Sequence, residues 1–255
     1  MSESAQFKFQ WQLNWKILVF SLIFFPVTVQ LGFWQLDRAE EKSSILTMYN
    51  ARRQMDAEPF ANIVHQGDRQ YLRVKLAYQA GDFPTLLLDN RVQQGKPGYE
   101  VLDIVKTDVG QLMVNRGWVQ ASLNRQQLPE ISPLQRSGEL SGYLYQSPGK
   151  QIMLGEDDWN AGQPMVVVQN GAPDVVGSKL NVELYPYQLR LDEQYTNLSA
   201  TWQVVNVQPA KHTGYAVQWF AMSIALVLLT LFANSNLGSW FSRKKKLSNV
   251  EKGNE

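Results

Sequence analysis

ILVFSLIFFPVTVQLGFWQL, residues 17–36, runs for 20 positions without a charge. Wound as an α-helix at about 1.5 Å per residue it is roughly 30 Å long, the thickness of a bilayer's hydrocarbon core. Pro26 and Gln30 interrupt the run, and a membrane helix tolerates both when neighbouring groups satisfy the freed polar atoms. A second uncharged run opens at Thr213, with its apolar heart at Tyr215–Phe232 broken only by Gln218, Ser223 and Thr230. The two runs predict transmembrane helices over 17–36 and 213–235. The first reads as a retained anchor, because its end, Leu31-Gly32-Phe33-Trp34, offers no Ala-x-Ala cleavage site. Trp11, Trp15, Trp34, Tyr215, Trp219, Trp240 and Phe241 sit at the ends of the runs, where aromatic belts form.

Basic flanks stay cytoplasmic. Arg243-Lys244-Lys245-Lys246 follows the second run, and Lys8 and Lys16 precede the first. Residues 37–212 hold 17 Lys+Arg against 20 Asp+Glu, a net of −3. The expectation is a multi-pass protein with cytoplasmic tails over 1–16 and 236–255 and a domain over 37–212 on the far side, the periplasm in a bacterium. The overall mean hydropathy of −0.28 conceals this division.

The whole chain of 255 residues has 24 Lys+Arg, 23 Asp+Glu, two His and no Cys. Near-neutrality argues against a nucleic-acid partner. Without cysteine there is no disulfide framework, thiolate metal site or covalent haem attachment, and two histidines cannot build a histidine cage. No Gly-x-Ser-x-Gly, His-Glu-x-x-His, phosphate-loop or dinucleotide pattern occurs, so an enzyme is disfavoured.

In the middle region, 72–78 and 185–191 alternate apolar with polar residues, the period of half-buried strands. Further strands are expected over 85–92, 99–105, 111–119, 142–145, 165–169 and 202–207, separated by turn-rich pieces such as 94–98. Helix is expected over 37 to about 54, continuing the first span, over 173–180 and near 122–130. The fold class is therefore a membrane-anchored α+β protein. Two transmembrane helices flank an antiparallel β-rich domain, a meander or barrel, with a few short helices. Glu156-Asp157-Asp158 reads as a solvated loop rather than a cation site.

His212 stands at the mouth of the second span; as a helix, 212, 215, 216 and 219 share a face, laying the imidazole near Tyr215 and Trp219. A helix N-terminus favours the neutral ring, which a haem iron requires. From the residues alone an interfacial histidine bound to water or headgroups is the simpler reading. Arg38 follows Trp34 by four positions, a spacing for a cation–aromatic contact, for interfacial anchoring, or for aiming a positive group at a phosphate or propionate. In Asn115-Arg116-Gly117-Trp118, Trp118 reads as core and Gly117 as a bulge or close backbone approach. His65 reads as a surface residue.

In order along the chain stand Leu31-Gly32-Phe33-Trp34-Gln35-Leu36-Asp37-Arg38 with Lys42, Leu88-Asp89-Asn90-Arg91, Gly98-Tyr99-Glu100-Val101, Val114-Asn115-Arg116-Gly117-Trp118-Val119, and His212 through Phe220. This set resembles the surfeit locus protein one family, assembly factors of haem-copper cytochrome c oxidase, over residues 31–220. Departures are Lys211-His212-Thr213, where the family often has Asn-His-Leu, and Gln120, where it has proline.

The resemblance implies a non-enzymatic chaperone of the inner membrane that receives haem a and assists its insertion into oxidase subunit I, with haem a synthase a further candidate partner beside the membrane lipids. It implies His212 as the iron ligand. Haem a is a flat apolar ring with a hydrocarbon tail and two carboxylates, so Tyr215, Trp219 and Trp34 are candidate walls, and Arg38 and Arg116 candidate propionate partners. Two other readings remain: a scaffold for an oxidase assembly intermediate that never touches haem, and an unrelated two-span periplasmic adaptor.

Overall fold

The computed structural model describes residues 9–122, 124, 127–147, 157, 159 and 162–238. The chain forms two compact units, one of residues 1–45 with 205–255 and one of residues 46–204.

The first unit is a pair of helices. α1, Trp15–Arg53, is 39 residues long and contains Pro26. It continues past the apolar run as expected, because Asp37–Arg53 has neither Gly nor Pro and ends on Arg52 and Arg53, which complement the helix C-terminus. Its last residues, from Leu46, belong to the second unit. The second helix of the pair, Pro209–Ala233, opens with proline at its first turn, where no amide is needed. Both helices are long and apolar enough to cross a membrane. They run antiparallel: Ser21 meets Thr230, Thr28 meets Ser223, and Gln35 meets His212. At the far end, the Gln12 amide donates to the Asn234 carbonyl at 2.8 Å and Trp11 bridges Ser235. Trp11 and Trp15 are exposed. Lys8, Trp240, Phe241 and the basic stretch 243–246 lie outside the described residues.

The second unit is β-rich. β1 (Glu58–Pro59) and α2 (Phe60–Ile63) lead into β2 (Arg73–Ala80), β3 (Thr85–Gln93), β4 (Lys96–Thr107), β5 (Gly110–Gln120), β6 (Ser137–Tyr145) and β7 (Met165–Val168). Then come α3 (Pro173–Leu180) and β8 (Leu184–Leu191), and the helix at Pro209–Ala233 is α4. The strand order is β1-β2-β6-β8-β5-β4-β3-β7, and β2 also pairs with β4 through Gln79↔Lys106 and Ala80↔Val105. That contact closes β2, β6, β8, β5 and β4 into a barrel. The first half of β4 carries β3 instead, and β3 carries β7.

Alternation decides which side chains fill the barrel. Val74, Leu76 and Tyr78 of β2, Leu112 and Val114 of β5, Leu140 and Leu144 of β6, and Leu189 and Leu191 of β8 form its core, with Phe60 and Ile63 of α2. A second core joins Leu86 and Leu88 of β3, Leu102 and Ile104 of β4, Val166 and Val168 of β7, and Val176 of α3. Each fully buried leucine contributes about 1.5–3 kcal/mol.

The eight expected strands include seven that form. Residues 202–207 do not join the sheet; the Trp202 indole instead donates to the Leu191 carbonyl at 3.0 Å and anchors the segment by its side chain. The helix expected near 122–130 is absent among the described residues there, where Leu128 packs its side chain on the Leu87, Tyr99 and Val101 cluster without a helical turn. The pairing is mixed rather than purely antiparallel, since β1–β2, β3–β7 and β5–β8 are parallel. The connections from β3 to β7 and from β5 to β8 are long enough for such returns, and β1 reaches β2 through α2. Gly117 fulfils both of its expectations. Its φ is +125° and the β4–β5 register shifts beside it, leaving Arg116 as the extra residue. A Cβ there would stand 2.7 Å from the Ser199 carbonyl oxygen.

Candidate functional site

The α1–α4 pair is held by small and polar residues. Gly32 lies against the Phe220 ring, where a Cβ would stand 2.6 Å from a ring carbon, and Ala216 is 1 % exposed. Apolar lipid gives apolar helices no reason to associate, so close backbone approach and interhelical hydrogen bonds do the work. Ser223 Oγ donates to Thr28 Oγ1 at 2.8 Å, and Ser21 and Thr230 share a hydrogen bond one rung away. Phe33 meets Phe220 edge to face at 5.3 Å.

At the other end of this ladder, His212 Nδ1 lies 2.7 Å from Gln35 Oε1. His212 is one helical turn from Ala216 and Gln35 one turn from Gly32, so the close packing below brings the two side chains within reach. Among the described residues Nε2 of His212 has no hydrogen-bond partner. The ring is half-buried and faces α1.

The structure brings some sequence-derived candidates together and separates others. The Arg38 guanidinium lies over the Trp34 ring at 5.7 Å, so the expected contact is made, and it also pairs with Glu41 at 2.5 Å. Lys42 pairs with Glu41 from the other side at 2.8 Å. Trp34 and Tyr215 are about half exposed, whereas Trp219 is half-buried on the His212 side of α4. Tyr215 therefore does not share the inward face as expected. An open apolar groove of about 410 Å³ runs along the pair, lined by Phe25, Val29, Phe220, Ile224, Val227 and Leu228.

Arg116 does not belong to this group. It lies in the barrel unit at 4 % exposure, ion-paired with Asp103 at 3.0 Å and donating to the Ser132 carbonyl at 2.8 Å. Its charge is satisfied in the interior, which corrects the expectation of an arginine open to a carboxylate ligand. Elsewhere in the barrel unit, Arg190 is sandwiched between Tyr145 at 3.5 Å and Trp202 at 4.8 Å. Desolvation pulls its pKa down, but the Glu100 charge and the neighbouring tyrosines outweigh this and raise it. Burial pushes the Tyr143 hydroxyl well above its ordinary range. His65 is exposed. Of the acidic trio only Asp157 is described, and it accepts a hydrogen bond from the Gln169 amide at 3.0 Å. Among the described residues no group of three acidic or histidine side chains could hold a metal ion.

Sequence reasoning missed Gln35. Its signal was spacing: Ser21, Thr28, Gln35 and Lys42 recur every seven residues on α1, as Ala216, Ser223 and Thr230 do on α4, the repeat of a helix–helix seam.

Taken together, two membrane-crossing helices joined by a polar seam, with a barrel unit between them in sequence, define a membrane-anchored β-barrel protein. The profile of the SURF1 family matches residues 22–224. The chain is 26% identical to a SURF1-like protein of Rickettsia felis over 224 residues, 85% of this chain and 96% of that protein. With a SURF1-like protein of Rickettsia bellii it shares 28% over 215 residues, 82% and 86% of the two chains. The chain belongs to the SURF1 family, known as a family of oxidase assembly factors.

Proposed function

We propose that this protein is a non-enzymatic haem a carrier for haem-copper cytochrome c oxidase, handing its cargo to oxidase subunit I. The observation that carries this reading is the half-buried imidazole of His212, tied at Nδ1 and open at Nε2, at the mouth of an apolar helix pair. A neutral imidazole nitrogen is a haem-iron ligand. The donor set fits: the groove along Phe25, Phe220 and Val227 suits a hydrocarbon tail. Arg38, half exposed over Trp34, suits a propionate, since a guanidinium pairs with carboxylates through two parallel bonds. In this reading Trp34, Trp219 and Tyr215 border the cargo, and Arg116 has no part in binding it.

The protein resides in the inner membrane with both tails cytoplasmic and the barrel unit periplasmic. The basic stretch 243–246 and the acid excess of residues 37–212 support that orientation. Haem a synthase is the upstream partner and the barrel unit docks on subunit I.

The test is to purify the full chain in detergent from cells making haem a and record its spectrum beside that of His212→Ala. Pigment in the wild type that is lost in the variant is expected. No pigment in either favours a scaffold acting on an assembly intermediate, and pigment unchanged by the substitution removes His212 as the ligand.

A further inference from the structure

We propose that Gln35 is the positioning residue that sets the tautomer of His212 and so selects Nε2 as its coordinating nitrogen. This rests on the haem-carrier reading and goes beyond it by assigning the group that prepares the ligand.

The argument begins with donor and acceptor chemistry. An amide oxygen only accepts hydrogen bonds, so with the Gln35 amide turned to place Oε1 against the ring, as the 2.7 Å contact has it, the proton sits on His212 Nδ1. A neutral imidazole carries one N–H, so its lone pair then resides on Nε2. Among the described residues no protein group engages that nitrogen. The usual arrangement at metal-binding histidines is a carboxylate or carbonyl oxygen behind the ring nitrogen that does not bind. Gln35 supplies an uncharged version, which suits a site where a carboxylate would be costly to desolvate.

Rigid elements fix this geometry. Gln35 and His212 stand on two helices held together one turn further in, where Gly32 admits the Phe220 ring and Ala216 is buried. The hydrogen bond from Ser223 to Thr28 continues the seam. A residue at position 35 lacking an acceptor would leave the imidazole free to rotate or change tautomer, and Nε2 would compete as a donor to solvent.

The experiment uses the full chain in detergent with three variants, Gln35→Leu, Gln35→Glu and His212→Ala. Nitrogen-15 NMR of the haem-free wild type is expected to show His212 protonated at Nδ1, and Gln35→Leu to lose that preference. With haem a added, Gln35→Leu is expected to bind roughly tenfold more weakly, the lower end of the effect of removing such a partner. Gln35→Glu, a stronger acceptor, is expected to retain haem, raise the iron–histidine stretching frequency of the ferrous form and lower its midpoint potential. A purely structural role for Gln35 would not move frequency and potential in that direction while binding is kept. A wild-type His212 protonated at Nε2 overturns the proposal, as do Gln35 variants with wild-type frequency and potential. If the Nδ1 proton is found but neither wild type nor variant takes up haem a, the carrier reading fails, and the assignment of Nε2 as a ligand fails with it.

Discussion

In the barrel unit, Arg116 directs its guanidinium to Asp103 and the Ser132 carbonyl, and Asp103 in turn accepts a hydrogen bond from Thr85 at 2.6 Å. In the helix pair, His212 is held at one nitrogen by Gln35 and its other nitrogen has no partner among the described residues. Even Arg190, whose Nε and Nη1 lack hydrogen-bond partners, is closed off by the faces of Tyr145 and Trp202. The buried guanidiniums of Arg116 and Arg190 are paired or covered and serve the fold, whereas the mouth of the helix pair keeps one ligand-competent atom within reach.

Breaking the barrel's polar interior tests this most severely. Asp103→Ala strands the buried Arg116 charge, and removal of one partner of a buried ion pair costs about 3–5 kcal/mol. Urea unfolding of the full chain in detergent, followed by its β signal, is expected to show that loss. The haem spectrum at temperatures where the variant stays folded is expected to be unchanged. Gly117→Val comes next. A β-branched residue at φ +125° with its Cβ near the Ser199 carbonyl is expected to destabilise the barrel unit by about 1–3 kcal/mol in the same assay.

The helix pair responds more gently. Ser223→Ala removes an interhelical hydrogen bond, worth about 0.6 kcal/mol on average in a membrane, and unfolding in detergent is expected to register no more than that. The last effect is confined to alkaline pH and is nil at neutrality. Tyr143 has a raised pKa in the folded state, so the unfolded chain releases this proton first. The stability it contributes is intact below about pH 10 and declines as pH climbs towards its folded value. Tyr143→Phe is expected to flatten the stability–pH curve above pH 10, and a curve identical to the wild type's removes Tyr143 as its source.

Much of this architecture was legible from residue order. The uncharged runs located both long helices; alternation located β2 and β8, because one buried face imposes a period of two, and turn-rich boundaries located five more strands. Pro173 and Asp174 marked α3 to the residue, since a proline opening and an acidic first turn are local signals. Closure of the barrel was not legible. It depends on two residue pairs between β2 and β4, which the sequence between them does not encode locally. Trp202 misled for a related reason: the valine-rich run that follows it has strand composition, yet its indole docks on Leu191 and Arg190 without a ladder. At the site, the Trp34–Arg38 spacing gave a real contact because both residues lie on one helix. Arg116 looked like a free cation because its partner, Asp103, is brought to it only by the β4–β5 pairing. Gln35 went unread because an amide in an apolar run acquires meaning only when the facing helix presents His212.

Whether the helix pair or the barrel unit holds the pigment is decided by titrating haem a into the purified, haem-free full chain, read by absorption, for the wild type, His212→Ala and Asp103→Ala. One haem per chain is expected, with binding at least about tenfold weaker without the imidazole and little change in affinity for folded Asp103→Ala. Equal affinity in wild type and His212→Ala, or loss confined to Asp103→Ala, would contradict that expectation.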